Sequence, residues 1–171
     1  MNSENAQTNH KHIEEAIFAG GCFWGVEYYM KRAKGVISAT VGYIGGNMEN
    51  PTYEDVCSSQ TGHAEAIRIL FDPTLIHFET LAKLFFEIHD PEQENRQGPD
   101  VGEQYRSEIF YIGEQQREIA QKLIEELKQK GLQVVTKLTP ATTFYPAENY
   151  HQNYYAKIGG HPYCHAYKKR F

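Results

Sequence analysis

Cysteine is scarce in this chain. Cys22, Cys57 and Cys164 are the three present among 171 residues. No two of them form a CxxC pair, so a zinc knuckle or thioredoxin-type motif is lacking. Their odd number and wide separation argue against the disulfide framework of a small secreted protein. A reducing, cytoplasmic setting with one or more working thiols fits better. Positive charge is also in short supply. Seventeen Lys and Arg face 22 Asp and Glu, for a formal net charge of -5. That is the opposite of the basic balance of most nucleic-acid binders, so no nucleic acid is expected as a partner. The one basic run, Lys168-Lys169-Arg170, is expected to be a solvated tail. Long apolar runs are missing too, and nothing approaches the roughly 18 residues of a membrane helix. The most apolar early stretch, 16–26, is broken by Gly20 and Gly21. It lacks a basic leader and a cleavage site, so neither a membrane span nor a secretory signal is expected.

What remains is an ordinary globular composition, with 40% hydrophobic, 23% charged and 13% aromatic residues. The length suits one domain. Residues 1–12 are polar and are expected to be a disordered lead-in, with a single mixed α/β domain over 13–171. Strands are expected at 13–19, 36–43, 65–71, 107–112 and 133–138, where β-branched residues and alternation concentrate. Helices are expected at 22–33, 78–89 and 114–130, from apolar residues at helical spacing. A short helical turn is expected near 53–57, and another short helix at 147–157. Residues 90–106 read as a long polar loop of the kind that often carries function.

The central feature is Gly20-Gly21-Cys22-Phe23-Trp24-Gly25. Cys22 falls between an expected strand and an expected helix. Free N–H groups and the positive end of the helix dipole stabilise an anion there. A thiolate so placed can have a lowered pKa and act as a nucleophile. An inert buried thiol is the common alternative, and the local pattern leaves both open. Phe23 and Trp24 could wall an apolar pocket or simply fill a core. His63, His89 and His151 lack ligand spacing, so no metal is expected. No organic cofactor is expected either.

The hexapeptide strongly resembles the active-site motif of A-type peptide methionine sulfoxide reductases. Four further blocks follow in family order: Val41-Gly42-Tyr43-Ile44-Gly45-Gly46; Thr61-Gly62-His63-Ala64-Glu65; Asn95-Arg96-Gln97-Gly98-Pro99-Asp100 with Gln104-Tyr105-Arg106-Ser107; and Phe144-Tyr145-Pro146-Ala147-Glu148 with His151-Gln152. Together they span about residues 16 to 155. The fold expected is α/β, in detail an α+β two-layer sandwich. It would have a mixed central sheet flanked by helices, a ferredoxin-like core and a long, aromatic, coil-rich C-terminal segment.

The resemblance implies reduction of methionine-S-sulfoxide, free or in proteins, to methionine. Cys22 would attack the sulfoxide sulfur, and Glu65, held protonated, would give its proton to the oxygen. Tyr43 and Tyr105 would hydrogen-bond that oxygen, since a phenol donates yet stays neutral at pH 7. Asp100 would help orient the site, and Phe23 and Trp24 would cage the methyl group. The resulting sulfenic acid on Cys22 would form a disulfide with Cys164, carried by a flexible Gly/Pro-rich tail. Thioredoxin or a similar dithiol would then reduce it. The alternative for Cys164 is a free thiol packed beside an aromatic tail, and Cys57 reads as a buried structural thiol. The protein is expected to be a monomer. A thiol peroxidase or a cysteine hydrolase is the rival enzyme, the hydrolase needing a His base beside Cys22. A domain that binds oxidised methionine without reducing it is the rival binder.

Overall fold

A computed structural model describes residues 11–171 of the chain, so the first ten residues of the expected lead-in lie outside those described. Strand β1 (Glu14–Gly20) leads into helix α1 (Phe23–Met30) and strand β2 (Val36–Ile44). Helix α2 (Tyr53–Cys57), strand β3 (Ala64–Phe71) and helix α3 (Phe78–Ile88) follow. A small hairpin of β4 (Arg96–Gln97) and β5 (Asp100–Val101) comes next, then β6 (Ser107–Tyr111) and α4 (Glu114–Gln129). Strands β7 (Lys137–Pro140) and β8 (Tyr145–Pro146) and helix α5 (Tyr154–Ile158) complete the order.

The main sheet has the order β7-β6-β1-β3-β2-β8. Its four central strands, β6, β1, β3 and β2, pair antiparallel throughout. With α1 between β1 and β2, and α3 between β3 and β6, this is the expected ferredoxin-like core. The parallel β6–β7 pair makes the sheet mixed. Alternation along the strands explains the two layers, because successive side chains point to opposite faces. Ala16 and Phe18 of β1, Val41 and Tyr43 of β2, and Ile67 and Ile69 of β3 pack with α1, α3 and α4 in one core. Ile17, Ala19, Ala64, Ala66 and Phe110 form a second cluster on the other face, covered by Ala141 and Phe144 of the C-terminal coil. The buried residues Phe23, Val26, Glu27 and Met30 of α1 recur at helical spacing, so one face of that helix meets the sheet.

Three segments differ from expectation. Residues 90–106 are not structureless. The Gln97 side chain accepts from the Asp90 backbone N–H (2.8 Å) and donates to the Asp90 carbonyl (3.0 Å), closing the β4–β5 hairpin. A 3₁₀ turn at Glu103–Tyr105 follows. The strand expected at 133–138 starts four residues late. The N–H of Val135 donates to the Pro91 carbonyl (2.8 Å), which draws this stretch to the loop before β4 instead of to β6. The helix expected at 147–157 is split. Asn153 is left-handed (φ 55°, ψ 40°). The Gln152 side chain binds both the N–H (2.9 Å) and the carbonyl (2.9 Å) of Val41, as a strand neighbour would.

Candidate active site

Cys22 is the N-cap residue of α1 and is only 6% exposed. Gly21 precedes it with φ +93°, a conformation open to glycine, and this turn carries the chain from β1 into the helix. The backbone N–H of Trp24 stabilises the thiolate, as the helix N-terminus predicts. Yet the thiol's pKa is pushed up, not down. The largest cause is the neighbouring Cys164 thiol, followed by burial and by coulombic coupling to Cys164 and Asp100. The expected low-pKa thiolate is therefore not the resting form: Cys22 is held as a buried thiol.

Glu65 projects beneath the start of α1. It stands opposite Tyr43 in the β2–β3 register, so both side chains enter the helix layer. Glu65 is 2% exposed, and one carboxyl oxygen, Oε2, has no hydrogen-bond partner. Burial raises its pKa far above the usual carboxylate range. The charges of Cys22 and Asp100 add to this, while the Phe23 N–H works against it. The shift favours the carboxylic acid, the form that has a proton to give.

The tyrosines divide unexpectedly. Tyr43 is fully buried, and its hydroxyl donates to Glu148 Oε1 at 2.9 Å. The other oxygen of Glu148 accepts from the Tyr53 backbone N–H, also at 2.9 Å. Tyr43 therefore braces α2 and is not free to hold a ligand oxygen. Tyr53 is the tyrosine that couples to both Glu65 and Cys22. It opens α2, whose start is fixed by a capping box between Thr52 and Asp55. Its hydroxyl lies against the sulfur of Cys57, and it is close enough to Glu65 and Cys22 for their ionised forms to raise its pKa. Sulfur is a weak acceptor, so that hydroxyl is easily surrendered to a ligand. Tyr105 is half-buried beside Glu65, Tyr53 and Asp100, and its hydroxyl has no partner among the described residues. Burial pushes both phenols up, so both remain neutral donors. Cys57 corrects a second expectation. It is exposed at the end of α2, because that helix is one short surface turn.

Phe23 is fully buried against Tyr43 and His151, with ring centroids 5.7 and 5.1 Å away. Trp24 is half-buried. It stacks on Tyr154 at 3.7 Å, and its indole N–H donates to His151 Nδ1 at 3.0 Å. His151 thus serves to aim Trp24. His63 has both ring nitrogens engaged, with the Gly46 N–H (3.0 Å) and the Met48 carbonyl (2.7 Å), where it knits two loops. Neither histidine was legible as a positioning group, since their partners are distant in sequence. Tyr53 did carry a signal, the Thr-x-x-Asp cap immediately around it.

The tail closes the site. Tyr163 donates to Asp100 Oδ1 at 3.2 Å, and Cys164 lies beside Gly98 of the hairpin and the Cys22 thiol. This tail is not the loose arm expected from its glycines. Lys168 N–H donates to the Glu87 carbonyl (2.7 Å), Arg170 Nε to the Phe86 carbonyl (2.8 Å), and Phe171 packs on Phe86.

A buried thiol, a second thiol beside it and a buried carboxyl of raised pKa, on a ferredoxin-like α+β frame, point to a thiol-dependent oxidoreductase. Residues 14–171 match the family model "Peptide methionine sulfoxide reductase". The chain belongs to the peptide methionine sulfoxide reductase family. It is 53% identical over 152 residues to peptide methionine sulfoxide reductase MsrA of Nautilia profundicola, covering 89% of this chain and 88% of that one. The crystal structure of reduced Mxr1 from Saccharomyces cerevisiae superposes with TM-score 0.84 at 32% identity, covering 91% of this chain and 92% of that one. The same yeast protein has been solved in complex with Trx2; that structure aligns with TM-score 0.62 at 24% identity, over 98% of each chain.

Proposed function

We propose that residues 13–171 form one domain that reduces methionine-S-sulfoxide, free or in proteins, with Cys22 as the attacking thiol. Family membership carries the reaction. The observation that carries the assignment of roles is the meeting of Cys22, Cys164 and Glu65, with Cys22 and Glu65 both buried. Sulfoxide oxygen leaves poorly unless it is protonated, and Glu65 supplies that proton. Tyr53 and Tyr105 hold the oxygen, with Tyr53 taking the part expected of Tyr43. Phe23 and Trp24 receive the methyl group. Asp100 orients the site through Tyr163.

Cys22 gains the oxygen as a sulfenic acid, methionine leaves, and the thiol's own proton restores Glu65. Cys164 then closes a disulfide with Cys22. Thioredoxin or a comparable dithiol reopens it; the yeast relative solved with Trx2 supports a partner of that kind. The cytoplasm, where such dithiols are reduced, is the compartment this chemistry suits.

The test is a single turnover. One equivalent of sulfoxide without reductant should yield methionine and a protein lighter by two hydrogens. Cys22→Ser should abolish both. Turnover that survives Cys22→Ser would sink the assignment.

A further inference from the structure

We propose that His165 is the catalytic base that deprotonates Cys164 for disulfide formation. The inference rests on the assignment of Cys164 as the resolving thiol. His165 is 4% exposed, and both its ring nitrogens are engaged. Nε2 lies 2.6 Å from the Gly20 carbonyl oxygen, which can only accept. Nε2 therefore carries the hydrogen, and the lone pair of the neutral ring sits on Nδ1. Nδ1 lies 3.2 Å from Cys164 Sγ. The second nitrogen of the base is thus oriented by a fixed acceptor, while the first faces the thiol. This is the geometry of an activated nucleophile.

The active-site hexapeptide makes room for this imidazole. A Cβ at Gly25 would lie 2.0 Å from His165 Nδ1, and one at Gly21 3.2 Å from Nε2. The glycines around Cys22 therefore serve the tail as well as the turn. The titratable groups around the ring are Cys164, Asp100 on β5 and His89 just after α3; Tyr29 on α1 donates to the His165 carbonyl at 3.4 Å. Burial lowers the histidine's pKa against the opposing effects of the Gly20 contact and Asp100. The ring is consequently neutral and able to accept a proton.

The step balances as follows. The Cys164 S–H bond breaks and its proton passes to Nδ1. The sulfur attacks Cys22 Sγ, the S–S bond forms, and the S–O bond of the sulfenic acid breaks. Oxygen departs as water with a proton from Glu65. Cys164 is oxidised and Cys22 reduced, both to the disulfide level. The proton on His165 returns to solvent, and Glu65 takes one back.

His165→Gln tests this, because a Gln amide can still reach Gly20 but offers no base at the thiol. After mixing with one equivalent of methionine sulfoxide, methionine and disulfide are timed in the same sample. Their rate ratio reads only molecules that have completed the first step, so a partly unfolded variant does not distort it. The disulfide-to-methionine ratio should fall by about tenfold or more at pH 6.5, within the usual worth of a general base. The gap between parent and variant should narrow as pH rises, because a thiol attacking as its thiolate needs less help from a base at higher pH. Gly25→Ala, which displaces the ring, should show the same loss. A ratio within twofold of the parent at every pH would overturn the role of His165 alone. A parent that keeps the added oxygen and forms no disulfide would instead remove Cys164, and His165 with it.

Discussion

Tyr43 and Tyr53 carry the same hydroxyl, and what holds each hydroxyl separates their roles. A carboxylate binds that of Tyr43, and a thiol sulfur faces that of Tyr53. Tyr53→Phe should lower kcat by about 10–100-fold, the worth of one well-placed hydrogen bond to a developing charge. Tyr43→Phe should act mainly on stability, by about 1–3 kcal/mol, through the partner it strands on Glu148. Steady-state assays with saturating dithiothreitol and urea unfolding will separate the two; the reverse order would restore Tyr43 to the site. Glu65 makes a prediction about pH. Its folded pKa is raised, so the stability it contributes is complete below the unfolded value of about 4.3 and is lost as pH rises toward the folded value. Gln does not titrate. The stability of Glu65→Gln relative to the parent should therefore grow above about pH 4.3, by at most about 1.4 kcal/mol per pH unit. A difference that stays flat from about pH 5 to 8 in urea titrations would mean that Glu65 ionises normally.

Among the elements, the β2–β3 register matters most. A slip of one residue would send Glu65 to the far face of the sheet, away from Cys22. β8 pins this region through Gly42, which pairs with Pro146. A Cβ there would lie 2.3 Å from the Tyr145 carbonyl and 2.5 Å from the Phe144 ring. Gly42→Ala should cost about 1–3 kcal/mol by overpacking, read as a lowered urea midpoint; an unchanged midpoint would show that β8 yields freely. The elements legible in sequence were those whose own pattern decides them. Leu81, Phe85 and Ile88 repeat along α3, and Ala64–Phe71 is rich in β-branched and apolar residues. The segments misread at 90–106, 133–138 and 147–157 are shaped by partners far along the chain. Gln97 on Asp90, Val135 on Pro91 and Gln152 on Val41 carry no periodic signal.

Across the whole molecule, the tail passes Cys22 at Cys164 and then runs over α3. Glu87 anchors it, with its carboxylate accepting from the Tyr167 hydroxyl (3.2 Å) and the Arg170 N–H (3.1 Å). Glu87→Ala should lower stability by about 1–3 kcal/mol and slow disulfide formation relative to methionine release. A lost anchor with an unchanged rate ratio would mean that His165 and Phe171 suffice to hold Cys164. Acid should weaken the same region. His89 is buried neutral, with its pKa pushed down to about 3 by desolvation. The stability it lends is present above the unfolded histidine value of about 6.5 and is lost as pH falls toward the folded one.

Sequence alone determined the family, and the resemblance of its motifs singled out Cys22 as the proposed nucleophile and Glu65 as the proposed acid. Cys22 and Glu65 sit in contiguous motifs whose residues are neighbours along the chain, and alternation placed most of the strands that carry them. Tertiary structure decided that Glu148 takes the Tyr43 hydroxyl, that Cys57 is exposed, and that Cys22 rests as a raised-pKa thiol. It also decided that Cys164 is held in place and not free to wander. Each of these depends on burial or on a partner brought from a distant segment: Glu148 to Tyr43, Cys164 to Cys22, Gly20 to His165. Such forces act through space, and local pattern does not encode them.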